Sequence, residues 1–364
     1  MLQPTLVDAS KAINACGKKA QWETALRLLR DLPHWQLEAN IITRSAALSA
    51  CERCEQWVQA AALLVEMPTK DSIAYSAAVS ACGKGLSWPM ALLLLWQLHA
   101  EQVEKQVSAC NAATTACEKG RRWSDALDLH DVLHQWALTP NVITFSSTLS
   151  ACEKGGQWAQ AVGLVSEMTE QQVQGNIISC SAAISACETE GGWQNAVALF
   201  EEAAEDTNIV AYNATMSACE KASRWQDALQ LFEEAHLQQL RTNVISYGAV
   251  ISACEKGGVW LLALSFLADI DERRLERNLI TCNAAISACE KGAEWLRALA
   301  LLGEVLSNLQ ADVITFAAAI SACEKASEWS WALELFGRLC SGNLRPNVVA
   351  HNAAIAACQQ VGPN

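Results

Sequence analysis

A short core, Ser-Ala-Cys-Glu-Lys, returns with small changes from one end of the chain to the other, and no other feature limits the fold as much. Cys16, Cys51, Cys82, Cys117, Cys152, Cys187, Cys219, Cys254, Cys289, Cys323 and Cys358 mark the copies, at separations of 35, 31, 35, 35, 35, 32, 35, 35, 34 and 35 residues. A Trp stands six residues after each of these Cys except the last, from Trp22 to Trp329. Self-similarity at such a period is the signature of a solenoid, whose copies pack only on their neighbours.

Residues 142–176 show what one copy encodes. Phe145, Leu149 and Cys152 are spaced i, i+4, i+7 and predict a first helix of about three turns. Lys154-Gly155-Gly156 predicts its stop, with glycine free to take a left-handed cap. Trp158, Ala161, Val162, Val165 and Met168 form the apolar stripe of a second helix. The small Ser, Ala and Cys of the core let neighbouring first helices approach closely. The expected repeats are 6–40, 41–71, 72–106, 107–141, 142–176, 177–208, 209–243, 244–278, 279–312 and 313–347, with a partial copy at 348–364, in one array over 1–364. Copies 41–71 and 177–208 are short and are expected to lose residues after the second helix. The array begins and stops so abruptly that both ends read as cut from a longer one.

Charge and cysteine content narrow the function classes. A net charge of −13 is awkward for binding phosphate, which asks for a basic surface. Sixteen Cys would suit a disulfide scaffold in a short secreted chain, but eleven sit at one repeat-fixed position. Stacked repeats hold such positions about 9–10 Å apart, beyond the roughly 7 Å limit for a disulfide, so they read as small buried hydrophobes in a reducing compartment. The longest nearly uncharged run, Leu86 to Ala100, is too short to span a bilayer.

Isolated motifs are weak. Cys51-Glu-Arg-Cys54 lacks a second ligand pair for zinc. His130 and His134 imitate a metalloprotease helix, but Asp131 replaces its Glu and no third ligand is evident, so His130 reads as a packed histidine. Asn213-Ala-Thr215 is a formal glycosylation sequon on an expected first helix. There is no deaminase signature and no nuclease-like carboxylate cluster. No catalytic residue, metal or cofactor is expected.

The unit Val-Ile-Thr-Phe-Ser…Ala-Cys-Glu-Lys-Gly-Gly-Gln-Trp…Ala-Val…Met, closing in Pro140-Asn141 or Pro346-Asn347, resembles the pentatricopeptide repeat over essentially the whole chain. The Trp departs from the family, which usually has a smaller aliphatic there, and is read as packing between hairpins. The resemblance implies an all-α, right-handed solenoid superhelix of about ten helix-turn-helix repeats. It further implies binding of single-stranded RNA, one base per repeat, in organellar RNA stabilisation, processing, editing or translation. A chloroplast or mitochondrial location is implied with it, as is a separate RNA-processing or editing enzyme as a further partner.

In the family the fifth and last residues of each unit read the base. Transferred here, the fifth residues are Ser10, Ser45, Ser76, Asn111, Ser146, Ser181, Asn213, Gly248, Asn283 and Ala317. The last residues are Asn40, Asp71, Gln106, Asn141, Asn176, Asn208, Asn243, Asn278, Asp312 and Asn347. Asp only accepts hydrogen bonds and suits guanine and uracil, whereas Asn also suits adenine and cytosine. A short Ser leaves room for a purine, and a longer Asn favours a pyrimidine. The expected order is adenine, guanine, any base, a pyrimidine, adenine, adenine, a pyrimidine, any base, uracil, any base. A single Ser or Asn could equally be an N-cap, but the repetition of polar residues along one edge of an apolar array points to reading.

Two further columns accompany these. The second residues are Val7, Ile42, Ile73, Ile143, Ile178, Val210, Ile245, Ile280, Ile314 and Val349, with Ser108 the exception. In the family such residues sandwich a base, while ordinary helix packing explains them as well. Lys18, Arg53, Lys84, Lys119, Lys154, Lys221, Lys256, Lys291 and Lys325 recur at the end of the first helix, with Thr189 the gap. They offer a basic stripe for phosphates, or simply complement the helix C-terminus beside a Glu. The competing reading of the chain is a helical-repeat scaffold for protein partners.

Overall fold

The computed structural model describes residues 6–19, 21–35, 37, 39–173, 175–188, 192–202, 208–342 and 345–359. Thr189, the gap in the lysine column, lies outside them. Among the described residues every regular element is helical, with 21 α-helices and one short 3-10 helix at Leu32–Trp35. None of the helices is long and apolar enough to cross a membrane. Contacts divide the chain into two compact units, 1–186 and 187–364, each a stack of the same hairpin.

The repeat period sets where each helix begins. First helices run over Leu6–Lys18, Ile41–Arg53, Ser72–Lys84, Val107–Lys119, Val142–Gly155 and Ile177–Ala186 in the first unit. In the second they run over Ile209–Lys221, Val244–Gly257, Leu279–Lys291, Val313–Lys325 and Val348–Gln359. All ten second helices open on the column Trp, from Trp22–Asp31 to Trp329–Ser341. Within each unit a first helix packs on its own second helix and on the first helices of its neighbours. In repeat 41–71 most of the missing residues come out of the second helix itself. Trp57–Glu66 has ten residues where Trp158–Glu170 has thirteen, so three of the four fall in its last turn and one after it.

Phe145, Leu149 and Cys152 are fully buried, as their spacing requires. On the second helix Ala161, Leu164 and Met168 are buried, while Val162 and Val165 are half-buried. Leu164 thus takes the place expected of Val165. The two glycines after Lys154 do different work. Gly156 is the left-handed cap, at φ 65°. Gly155 ends the helix and is held to glycine, since a Cβ there would lie 2.4 Å from Cδ1 of Trp123, on the preceding repeat. The same Trp-on-Gly contact recurs at Trp57 with Gly85, Trp88 with Gly120, Trp225 with Gly257 and Trp260 with Gly292. The Trp column is therefore a wedge between successive hairpins.

Burial also sets the thiol chemistry. Cys51, Cys82, Cys152, Cys187, Cys219, Cys254, Cys289 and Cys323 are pushed up to about 11, and Cys117 to about 12, by their removal from water. All sixteen Cys are free, and Cys340 and Cys358 are exposed. An alkylating reagent at neutral pH should therefore label Cys340 and Cys358 quickly and the buried column only on unfolding. Peptide mapping of labelled protein checks this, and rapid native labelling of Cys152 would contradict the packing.

Candidate nucleic-acid interface

The last residue of each repeat immediately precedes the next first helix, so its side chain meets the orphan N–H groups of that helix. Asn40 accepts from the Thr43 N–H, Asp71 from Ala74, Asn141 from Thr144, Asn176 from Ser179 and Asn208 from Ala211. Asn243, Asn278, Asp312 and Asn347 do the same with Ser246, Thr281, Thr315 and Ala350. Only Gln106 in the column makes no such bond, its side chain being one methylene longer. The polar last column thus has a structural reason to exist, contrary to the expectation that reading alone would keep it. Each cap contributes about 1 kcal/mol.

The fifth residue of a repeat reaches that cap in several copies. Asn111 Nδ2 donates to Asn141 Oδ1 at 3.1 Å, Asn283 Nδ2 to Asp312 Oδ1 at 3.3 Å, and Asn213 Nδ2 to Asn243 Oδ1 at 3.5 Å. Ser146 lies 3.4 Å from Asn176 Oδ1 and donates more closely to the Val142 carbonyl. Thr144 and Thr315, which the sequence did not single out, donate to Asn111 Oδ1 and Asn283 Oδ1 at 2.7 Å each. A Thr or Ser three residues after the Asn or Asp was the signal for them, since it also closes a capping box at Asn141, Asn243 and Asp312. Where that residue is Ser246, its hydroxyl does not reach the previous repeat, and Asn213 Oδ1 is left without a partner.

Other fifth residues are not drawn to a cap. Ser10 and Ser181 donate to their own helices at the Val7 and Ile177 carbonyls, and Ser45 Oγ has no partner. Ser76 meets Ser108 instead, which in turn meets Gln106. Asn111 and Ser181 are buried. Their polar groups are spent inside the protein. Burial holds the Asp312 carboxyl up, yet the Thr315 N–H and hydroxyl and the Asn283 amide outweigh it and keep it below the usual carboxylate range.

The second column is largely solvent-exposed. Val7, Ile42, Ile73, Ile143, Ile178, Val210, Ile245, Ile280, Ile314 and Val349 are between 53% and 68% exposed, so ordinary helix packing does not account for them. They lie three residues before the fifth position, on the same helix face. First helices therefore present an exposed branched aliphatic, with Ser108 the exception, and beside it a Ser or Asn in most copies, with Gly248 and Ala317 the exceptions.

The cation column differs from a free basic stripe. Lys84, Lys154, Lys221, Lys256, Lys291 and Lys325 pair at 2.8–3.1 Å with Glu52, Glu118, Glu188, Glu220, Glu255 and Glu290 of the preceding repeat. The core Glu is one residue before the Lys, and stacking sets it under the next Lys. Lys18, Arg53 and Lys119 pair with no described acid. Arg53 and Lys119 follow repeats that carry Gly17 and Gly83 at the Glu position. The pairs are solvent-exposed and worth about 0–1 kcal/mol each.

Of the discounted motifs, Cys51 is buried and Cys54 half-buried, and Thr215 of the sequon is fully buried. His130 is packed, 5.1 Å from the Phe145 ring. The sequence showed no third ligand beside His130 and His134, but the structure brings Glu167 to both.

Two family models match the chain. One, described as the pentatricopeptide repeat domain, covers 163–222, 230–292 and 303–360, and the other, the PPR repeat, covers 143–173 and 210–236. No curated protein matches significantly in sequence. Among solved structures, the pentatricopeptide repeat protein PPR10 from maize is 17% identical at a TM-score of 0.64, covering 98% of this chain and 62% of that one. PPR10 in complex with an 18-nt psaJ RNA element is 19% identical at a TM-score of 0.46, covering 96% of this chain and 50% of that one. The chain thus spans between half and two thirds of the length of these structures, and the first of them shares its fold of stacked helical hairpins. With the family models together spanning more than half of its residues, the chain belongs to the pentatricopeptide repeat family.

Proposed function

We propose that the chain binds single-stranded RNA, non-enzymatically, with one base addressed by each repeat that offers a polar pair and flanking aliphatics. The exposed Val/Ile column carries this reading. A row of branched aliphatics more than half exposed is not explained by burial in the core, and it sits beside hydrogen-bonding groups at the start of most first helices. Bases are flat, apolar on their faces and polar on their edges, which is the chemistry such a row complements. The protein would act by occupying an RNA site in an organelle, shielding it or positioning a separate processing or editing enzyme. Membership of the pentatricopeptide repeat family favours this reading over others.

Selection from a random RNA pool tests it, with the order of preferred bases given above as the expected result. An unenriched pool would overturn it. The ion-paired lysines favour a second reading, a scaffold for a protein partner, because they remove most of the basic stripe. Salt dependence separates the two. If only Lys18, Arg53 and Lys119 meet phosphates, log affinity for RNA should fall with log salt at a slope of about −2, against about −6 for nine contacts and zero for none.

A further inference from the structure

The second helix Trp123–Gln135 carries His130 and His134 one turn apart, so both rings leave the same face. The next second helix, Trp158–Glu170, sets Glu167 opposite them. Glu167 Oε2 lies 3.2 Å from His130 Nε2, and Oε1 lies 2.9 Å from His134 Nε2. The three ligand atoms fall within 4.8 Å of one another. We propose that His130, His134 and Glu167 bind a divalent cation of the zinc class and staple the repeat 107–141 to the repeat 142–176.

Donor chemistry supports a transition metal over calcium or magnesium. Two imidazoles and one carboxylate form the donor set of open zinc sites, which keep a fourth position for water. Bonds of about 2.1 Å place tetrahedral ligand atoms about 3.4 Å apart, close to the 3.3 and 2.9 Å that separate Glu167 Oε1 from Nε2 of His130 and His134. Both histidines present Nε2, the atom used by i, i+4 histidine pairs on metal-binding helices. The carboxylate is itself oriented, because Gln171 Nε2 donates to Glu167 Oε1 at 2.8 Å. His130 is nearly buried against Phe145, while His134 is 42% exposed and leaves an entry path. His130 Nδ1 has no partner, so this ligand lacks the outer support that tightens metal sites about 10–100-fold, and a site of modest affinity is expected.

The sequence spacing explains why the site was hidden. Glu167 is 37 residues beyond His130, close to one repeat, and residues one repeat apart are neighbours in a solenoid. The site lies on second helices, away from the polar and aliphatic row, so metal binding does not depend on the RNA reading.

Titration of the full chain with Co²⁺, in a Cys340→Ser, Cys358→Ser background, tests the proposal. One equivalent should give the visible bands of four-coordinate cobalt without thiolate charge transfer, and Zn²⁺ should displace it. His134→Ala and Glu167→Gln should each weaken binding at least tenfold, whereas His351→Asn, on another helix, should not. Zn²⁺ in excess should also raise the Tm of the parent by a few degrees and leave that of Glu167→Gln unchanged. His134 and Glu167 are partly exposed, so both variants should keep native helicity by circular dichroism. A purely hydrogen-bonded His–Glu–His cluster would give no cobalt bands and no zinc-dependent Tm. Either that outcome or equal binding by parent and variants overturns the proposal.

Discussion

Asp312→Asn should move the preferred base of the ninth repeat from uracil to cytosine, and Asn176→Asp should move that of the fifth from adenine to guanine. The expected change is about 1–3 kcal/mol, or roughly five- to a hundredfold in relative affinity, per exchanged position. These substitutions are clean because Asn and Asp are equal as N-caps. Asp312 Oδ1 already accepts from the Thr315 N–H and hydroxyl at 2.8 Å, and Asn176 Oδ1 accepts from the Ser179 N–H at 2.7 Å. The capping oxygen is retained in either residue. What changes is the second atom, Oδ2 of Asp312, which makes none of these bonds and can only accept. In Asn it becomes an NH₂ that donates. The carboxyl is held below its usual range, so it is ionised at neutral pH. Its contribution to stability is then present above the unfolded value and is lost as pH falls through the lower folded one. Binding of RNA libraries to the two variants, beside urea melts, measures both effects. Unchanged selection with unchanged stability would leave the last column as caps and nothing more.

The hairpins and their starting points could be read from the sequence because the information is local. Apolar spacing, the Trp at the second-helix start and the Lys-Gly stop each act within a few residues. What stacking adds could not be read from one copy. Lys154 finds Glu118, and His134 finds Glu167, only after the repeats are set in register. The sequence does hold a trace of this, since Gly17 and Gly83 at the Glu position leave the following Arg53 and Lys119 unpaired. Likewise, the branched residues at position two look like core residues in composition and turn out to face solvent. Periodicity alone put Phe145 inside but left Ile143, two residues earlier on the same helix, undecided. Burial of Asn111 could not be read from one copy, because Thr144 and Asn141, from across the repeat junction, satisfy it.

That contrast between neighbours supplies the sharpest separation of folding from binding. Phe145 is fully buried and Ile143 is 62% exposed. Phe145→Ala should cost about 3–5 kcal/mol of stability by leaving a cavity among the hairpins. Ile143→Ala should cost almost nothing, because the side chain is already hydrated and Ala is the better helix former. The order reverses for RNA. A base lodged between Ile143 and Ile178 would remove much of their remaining exposed surface from water, worth about 1–2 kcal/mol for each. The double variant Ile143→Ala, Ile178→Ala should therefore lose about 2–4 kcal/mol, roughly thirty- to a thousandfold, in RNA affinity with its urea midpoint intact. Stability and affinity measured on the same preparations decide it. Loss of stability without loss of affinity would return the column to packing, and with it the proposed role of these aliphatics in holding a base.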